Sequence, residues 1–497
     1  MTPDADEGLR RVPDVLPTGA LAAVLGLAVA AGAWSAATFR DAMGANLLIA
    51  AVLAALAAVA SRAGAGVRVR GGWGLVWALA ALAFAALPTL RDDSWLHIYT
   101  TLAALGFGSL ALAGGVGWRA VLGRPFAVVG ALKPGVRWAG RGLAASVARR
   151  ASGRLGRTLA VTVVVSVVFG GLFAAADAVV ASLADDVVGA VDPAREPLAY
   201  MTGTSAFVFA LAAAYLAARP HTVERAARSG RVLRVVEWAL PLFVLNAVFA
   251  VFVYVQIAVV VFDGYQDVLA RKGINYADYA RQGFFTLLVV TALTLAVVAT
   301  ASRFGPRRGA PGRRLFEALL GTLCVLALAV VAAALHRLEL YVEYSGLTRL
   351  RICAATLELW LGVLFVLVLA TGPWERAARQ LPRLAGVTGA AILFGLGLAS
   401  PDQLIARVGV ERQRDTGVVD VRDLDHLSAD AVPWLDRLPE PQRSCLLRPI
   451  AADLGSADEP WYATNAARAR ARDLLAERPP RPGPPCEERE YRPSSRY

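Results

Sequence analysis

Eleven stretches of nearly uninterrupted Ala, Leu and Val divide the first 400 residues. Crossing a bilayer takes roughly 20 residues of helix, and these stretches have that length. They fall at 19–36, 43–61, 73–90, 96–117, 158–180, 199–217, 237–262, 283–301, 315–335, 352–371 and 384–400. A helix apolar on every face must be covered by lipid or by other helices. Soluble domains are about 45–50% apolar and about 25% charged; here the figures are 57% and 18%. The fold class is therefore all-α: a polytopic transmembrane bundle of about eleven spans with a small, mostly helical C-terminal tail.

The net charge of +12 invites a nucleic-acid partner, but its distribution argues for topology instead. With residues 1–18 in the cytoplasm and the spans alternating, 27 Lys and Arg fall on inward segments and nine on outward loops. That is the positive-inside bias, so no nucleic-acid partner is needed. It predicts a cell-membrane protein with a cytoplasmic N-terminus and an extracytoplasmic tail. No cleavage site follows the first apolar run, so that run reads as retained.

Spans 1–4 (19–117) are separated from the rest (158–400) by a basic loop at 118–157. Its Arg residues recur every three to four positions beside Val, Leu and Trp138. Such a pattern suits a helix lying on anionic lipids at the cytoplasmic face; a solvated loop that only sets topology fits it equally. The tail holds 15 basic and 17 acidic residues. Helices are expected near 401–412 and 461–477, within a folded unit at 401–478. The Pro-rich end, 479–497, reads as disordered apart from any bridge at Cys486. In an extracytoplasmic tail, Cys445 and Cys486 could pair and add roughly 3–4 kcal/mol. Spacing alone does not decide it.

Between the ninth and tenth runs the chain reads LELYVEYSGLTRLRI, dense in charge for so apolar a protein. Interfacial anchoring explains Tyr341 and Tyr344, but not the number of opposite charges. Arg349 and Arg351 offer rigid forks for carboxylate or phosphate. Tyr276, Asp278, Tyr279 and Arg281 echo Tyr341, Glu343 and Tyr344 as a second Tyr-x-acid-Tyr tip, which raises a parallel repeat. Glu358 lies about two turns into the tenth run. An intramembrane acid is either a functional site, with Arg351 as partner, or a packing group. His336, Glu339 and Glu343 share a helix face, but nothing completes a metal site. No P-loop, dinucleotide, serine-hydrolase or zinc motif appears, so no cofactor is expected.

The residues Leu245-Asn246, Phe249 and Gln256, YADYARQGFF at 276–285, LYVEYSGLTRLR at 340–351 with Trp360, and LSADAVPWL at 427–435 form a pattern. With RDDSWL at 91–96, it resembles the uncharacterised bacterial family known as domain of unknown function 4173. The family usually has YAEYAR, so Asp278 is a conservative departure. Cys353 and Glu358 stand where bulkier apolar residues are expected. The resemblance implies a multi-pass inner-membrane protein and no particular reaction.

The leading expectation is a non-enzymatic protein. Its outer polar cluster, including Ser428 and Asp430 of the tail, binds a ligand, lipid headgroup or partner, with transport or sensing as output. Asp92-Asp93 carries the alternative, an outer-leaflet transferase or hydrolase acting on a lipid-linked substrate. A scaffold for an envelope or signalling partner is the third reading.

Overall fold

The computed structural model describes residues 16–38, 43–67, 72–114, 117–151, 197–219, 235–261, 276–304, 312–372, 378–417, 421–455, 459–484 and 486. Its longer helices are α1 (Thr18–Ala37), α2 (Ala45–Gly64), α3 (Trp73–Ala86), α4 (Ser94–Ala113), α5 (Leu132–Ala151), α6 (Pro197–Ala217) and α7 (Val235–Val261). They continue as α8 (Tyr276–Phe304), α9 (Arg313–Ser345), α10 (Arg349–Thr371), α11 (Leu381–Ala399), α12 (Pro401–Thr416), α13 (Gln442–Leu454) and α14 (Ala466–Glu477). Among the described residues there is no strand. Nine of these helices are long and apolar enough to cross a membrane: α1, α2, α4 and α6–α11. The protein is an all-α integral membrane protein. The third expected span is shorter, α3 followed by a 3-10 turn at Leu87–Thr89. The expected span at 158–180 lies outside the described residues.

Apolar residues alone cannot set helix pairing in lipid, where close approach and hydrogen bonds decide it. Gly32 of α1 and Gly203 of α6 sit at one such crossing, where a Cβ on either would come within 2.9 Å of the other's carbonyl oxygen. Ser61 of α2 donates to Ala214 O of α6 at 2.7 Å. Asn246 of α7 donates to Leu319 O of α9 at 3.1 Å, the bridging role expected of a bundle amide. Trp77 of α3 stacks on Phe107 of α4, with ring centroids 5.7 Å apart.

The tail has its own apolar core, including Ile405, Val410, Leu424, Val432, Leu435 and Leu447. Segment 427–435 threads through it as a 3-10 turn and a short helix. Cys445 and Cys486 are joined by a disulfide with Cα atoms 5.3 Å apart. Residues 479–484, expected to be disordered, instead lie along α13. There Arg448 donates to the carbonyls of Gly483 and Pro484, and Arg481 N donates to Ser444 Oγ at 2.9 Å.

Alternation of the helices brings one set of ends against this tail. Trp34, near the end of α1, meets Tyr462 edge-on at 5.2 Å. The turn after α3, the start of α4, the α9–α10 turn and the end of α11 all meet it as well. This is the tail face; the other ends form the opposite face.

Candidate functional site

The α9–α10 connection explains part of the charge in LELYVEYSGLTRLRI. Gly346, at φ +76°, makes the reversal, a conformation that L side chains rarely adopt. Thr348 caps α10 by accepting from Arg351 N at 3.4 Å. The Arg351 guanidinium lies 4.0 Å over the Tyr341 ring and donates to Gly346 O. It thus fastens the turn, and this corrects its expected role as partner of Glu358. Helix side chains lean toward the N-terminus, so an Arg in the first turn of α10 reaches back to the tail face. Glu358 is fully buried and accepts from Thr291 of α8 at 2.9 Å instead.

Arg349, the first residue of α10, turns to the tail. Its Nε and Nη2 donate to the two oxygens of Asp402, each at 2.8 Å, and Nη2 also reaches His426 O at 3.2 Å. Asp402 Oδ2 accepts a further bond from Ser428 N at 2.9 Å. A bidentate guanidinium–carboxylate pair is among the stronger polar contacts a protein makes. Two non-glycine residues with positive φ, Ser400 at 49° and His426 at 57°, flank this pair. Such conformations persist where surrounding contacts over-determine them.

The loop before α4 completes the junction, with Arg91 and Asp92 reaching Asp430 and Arg468 of the tail. Arg91 pairs with Asp430 at 3.0 Å, while Asp92 N donates to Asp430 Oδ2 at 2.7 Å. The Asp92 carboxylate receives Arg468 of α14 at 2.6 Å. Asn465 caps α14 by accepting from Ala467 N and Arg468 N, and its amide donates to Pro88 O and Arg91 O, both at 2.7 Å.

Asp93 is the exception. It occupies the N-cap position of α4, where an Asp ordinarily accepts from the first helical amides, yet it makes no cap bond. Its Oδ2 accepts from Trp95 Nε1 at 2.7 Å, and Oδ1 finds no hydrogen-bond donor. Arg349 Nη2, the same nitrogen that donates to Asp402, stands 3.9 Å from Asp93 Oδ1. Both acids are fully buried. Burial first, and then the neighbouring Asp402 charge, push Asp93 well above the usual carboxylate range, to about 8. Arg349 and the Trp95 indole oppose the shift without cancelling it. The proton that Asp93 thereby retains at neutral pH removes the charge that two acids beside one guanidinium would leave over. Burial also raises Asp92 and Asp430, against the pull of Arg468 on Asp92 and of Asp92 N and Arg91 on Asp430.

Of the expected site residues, the structure brings Arg349, Ser428 and Asp430 into this junction. Tyr341 and Arg351 hold the adjoining turn, and Glu358 lies deeper in the bundle. The side chains of Tyr276, Asp278, Tyr279, Arg281, Glu343 and Tyr344 lie outside the described residues. Sequence reasoning missed Asp402, Asn465 and Arg468. An acid after Pro401 reads as an ordinary first-turn residue of a helix, and nothing in it signals the Arg349 fork 53 residues earlier.

One family, described as Domain of unknown function (DUF4153), matches residues 75–438. The chain is a DUF4153 protein. The designation differs from the 4173 that the motifs suggested. No curated protein and no solved structure matches the chain. The DUF4153 region runs from within α3 to the end of segment 427–438, so it contains Arg91, Asp93, Arg349, Asp402 and Asp430. Asn465, Arg468 and the disulfide lie beyond it.

Proposed function

We propose that this DUF4153 protein is a membrane-embedded sensor. Binding of a ligand or partner at the tail face is transmitted to the bundle through the buried junction. The observation that carries the reading is the Arg349–Asp402–Asp93 contact. It ties the first residue of α10 and the start of α4 to α12. A tail merely tethered to a span would need no buried charge at the joint, where ions are costly unless paired. In this reading the basic opposite face is cytoplasmic and the tail face extracytoplasmic, as the distribution of Lys and Arg implies.

Hydrogen exchange on the full chain in nanodiscs tests the coupling. Arg349→Ala should raise exchange together in α12 and in the tail-face turns of α4 and α10. A change confined to the tail would refute transmission. Sidedness is tested by impermeant maleimide on intact cells bearing Asp415→Cys, an exposed position at the end of α12. Labelling without lysis puts the tail outside.

The alternative of an outer-leaflet hydrolase or transferase draws less support. Asp93 is buried and Asp92 is held by Arg468, so neither is poised to meet a substrate.

A further inference from the structure

We infer that α5 is an in-plane interfacial helix that binds anionic phospholipid headgroups at the membrane surface opposite the tail.

The position of α5 follows from two close contacts. A Cβ on Gly135 would meet Ala212 of α6 at 3.1 Å, and one on Gly142 would meet Leu21 of α1 at 3.2 Å. Ala212 lies five residues before the end of α6, and Leu21 three after the start of α1. At a rise of about 1.5 Å per residue, these points are about 7.5 and 4.5 Å from the helix ends, nearly one depth. Both ends belong to the face away from the tail. The glycines are seven positions apart, about 10.5 Å along the helix, close to the 8–10 Å between packed helix axes. So α5 passes across α6 and then α1, along the surface of the bilayer rather than through it. Its own composition excludes it from the candidate spans.

Its sides divide the environment into three. One side is buried against α1 and α6 and includes Trp138, whose ring lies 5.9 Å from that of Tyr215. With about 100° between successive residues, the next sector holds Val136, Leu143 and Val147, which are 42%, 49% and 56% exposed. Phe126 and Val129, exposed as well, continue this apolar edge toward α4. The sector beyond holds Lys133, Arg137 and Arg141, all exposed. An apolar edge beside a basic edge, at the depth where spans leave the membrane, matches the acyl–headgroup boundary of an anionic leaflet. Water alone would leave the aliphatic edge uncovered. A neutral protein partner would leave the three cations unmatched.

The test uses the full chain in lipid-only nanodiscs, with Cys324 and Cys353 replaced by Ala. Spin labels are placed one at a time at Leu143→Cys and Arg137→Cys. Leu143 should report acyl-chain depth, through accessibility to oxygen, and Arg137 the headgroup or aqueous level. Separately, wild type and the triple variant Lys133→Gln, Arg137→Gln, Arg141→Gln are compared for preference between phosphatidylglycerol and phosphatidylcholine. Three charges at about 1 kcal/mol each predict a preference on the order of 100-fold weaker in the variant. An unchanged preference, or a Leu143 label in water, overturns the proposal. The depth measurement keeps all three cations except at the Arg137 site, so it stands even if the triple variant fails to fold.

Discussion

Asp93 and Asp402, both fully buried, meet at one guanidinium where the membrane bundle joins the tail: Arg349 forks Asp402 at 2.8 Å and stands 3.9 Å from Asp93. Two carboxylates against one cation leave an uncompensated negative charge, and one proton removes it. That proton makes the joint sensitive to pH.

Stability of the purified protein should fall as pH rises from near 4 to about 8. The folded state holds the Asp93 proton up to about 8, while the unfolded chain releases it near 3.8. Between those values the folded state binds more protons, so raising pH favours unfolding. The extra stability is fully present below the lower value and gone above the upper one. Asp92 and Asp430, also raised, add in the same direction. Asp93→Asn should flatten most of the slope in thermal unfolding against pH; an unchanged slope would assign it elsewhere.

Arg349→Ala leaves Asp402 buried with one amide partner, Ser428 N. Removing one member of a fully buried pair costs about 3–5 kcal/mol. Because the Arg349 side chain is 41% exposed, the expected loss is about 2–3 kcal/mol. The double variant with Asp402→Ala should lose less than the two single changes summed, the signature of direct coupling in a mutant cycle. Denaturant unfolding in detergent measures it.

Asn465 separates two contributions. Asn465→Ala removes the α14 cap, worth about 0.5–2 kcal/mol, and two donors to the loop before α4 at about 0.5–1.5 kcal/mol each. Asn465→Ser keeps a capping oxygen and loses the two amide donors, so it should fall between wild type and Ala. Proteolysis or hydrogen exchange around residues 87–93 should rank the three in that order.

Reduction of Cys445–Cys486, 41 residues apart in sequence, should lower tail stability by roughly 3–4 kcal/mol in the loop-entropy view. Cys445→Ser with Cys486→Ser should reproduce the loss and abolish the response to reductant. Hydrogen exchange within α13 reads both.

Helices were legible in the sequence because each apolar run determines its own conformation locally. The tail helices expected near 401–412 and 461–477 correspond to Pro401–Thr416 and Ala466–Glu477. The junction was legible only in fragments. Arg349 and Asp430 stood out as charges beside apolar runs, but their partners lie 53 and 339 residues away in the chain. No periodicity encodes a pairing at that distance. Arg351 and Glu358, two turns apart on one helix, looked paired by spacing alone. Side-chain direction separates them and sends Arg351 back over Tyr341.

Arg91 and Asp92 both hold Asp430, Asp92 also holds Arg468, and the adjacent Asp93 lies beside the Arg349 nitrogen that binds Asp402. A tripeptide is too short to let those grips slip one at a time. The head of α4 is thus held to the tail at consecutive residues, a tighter grip than the aromatic contact that Trp34 of α1 makes with Tyr462.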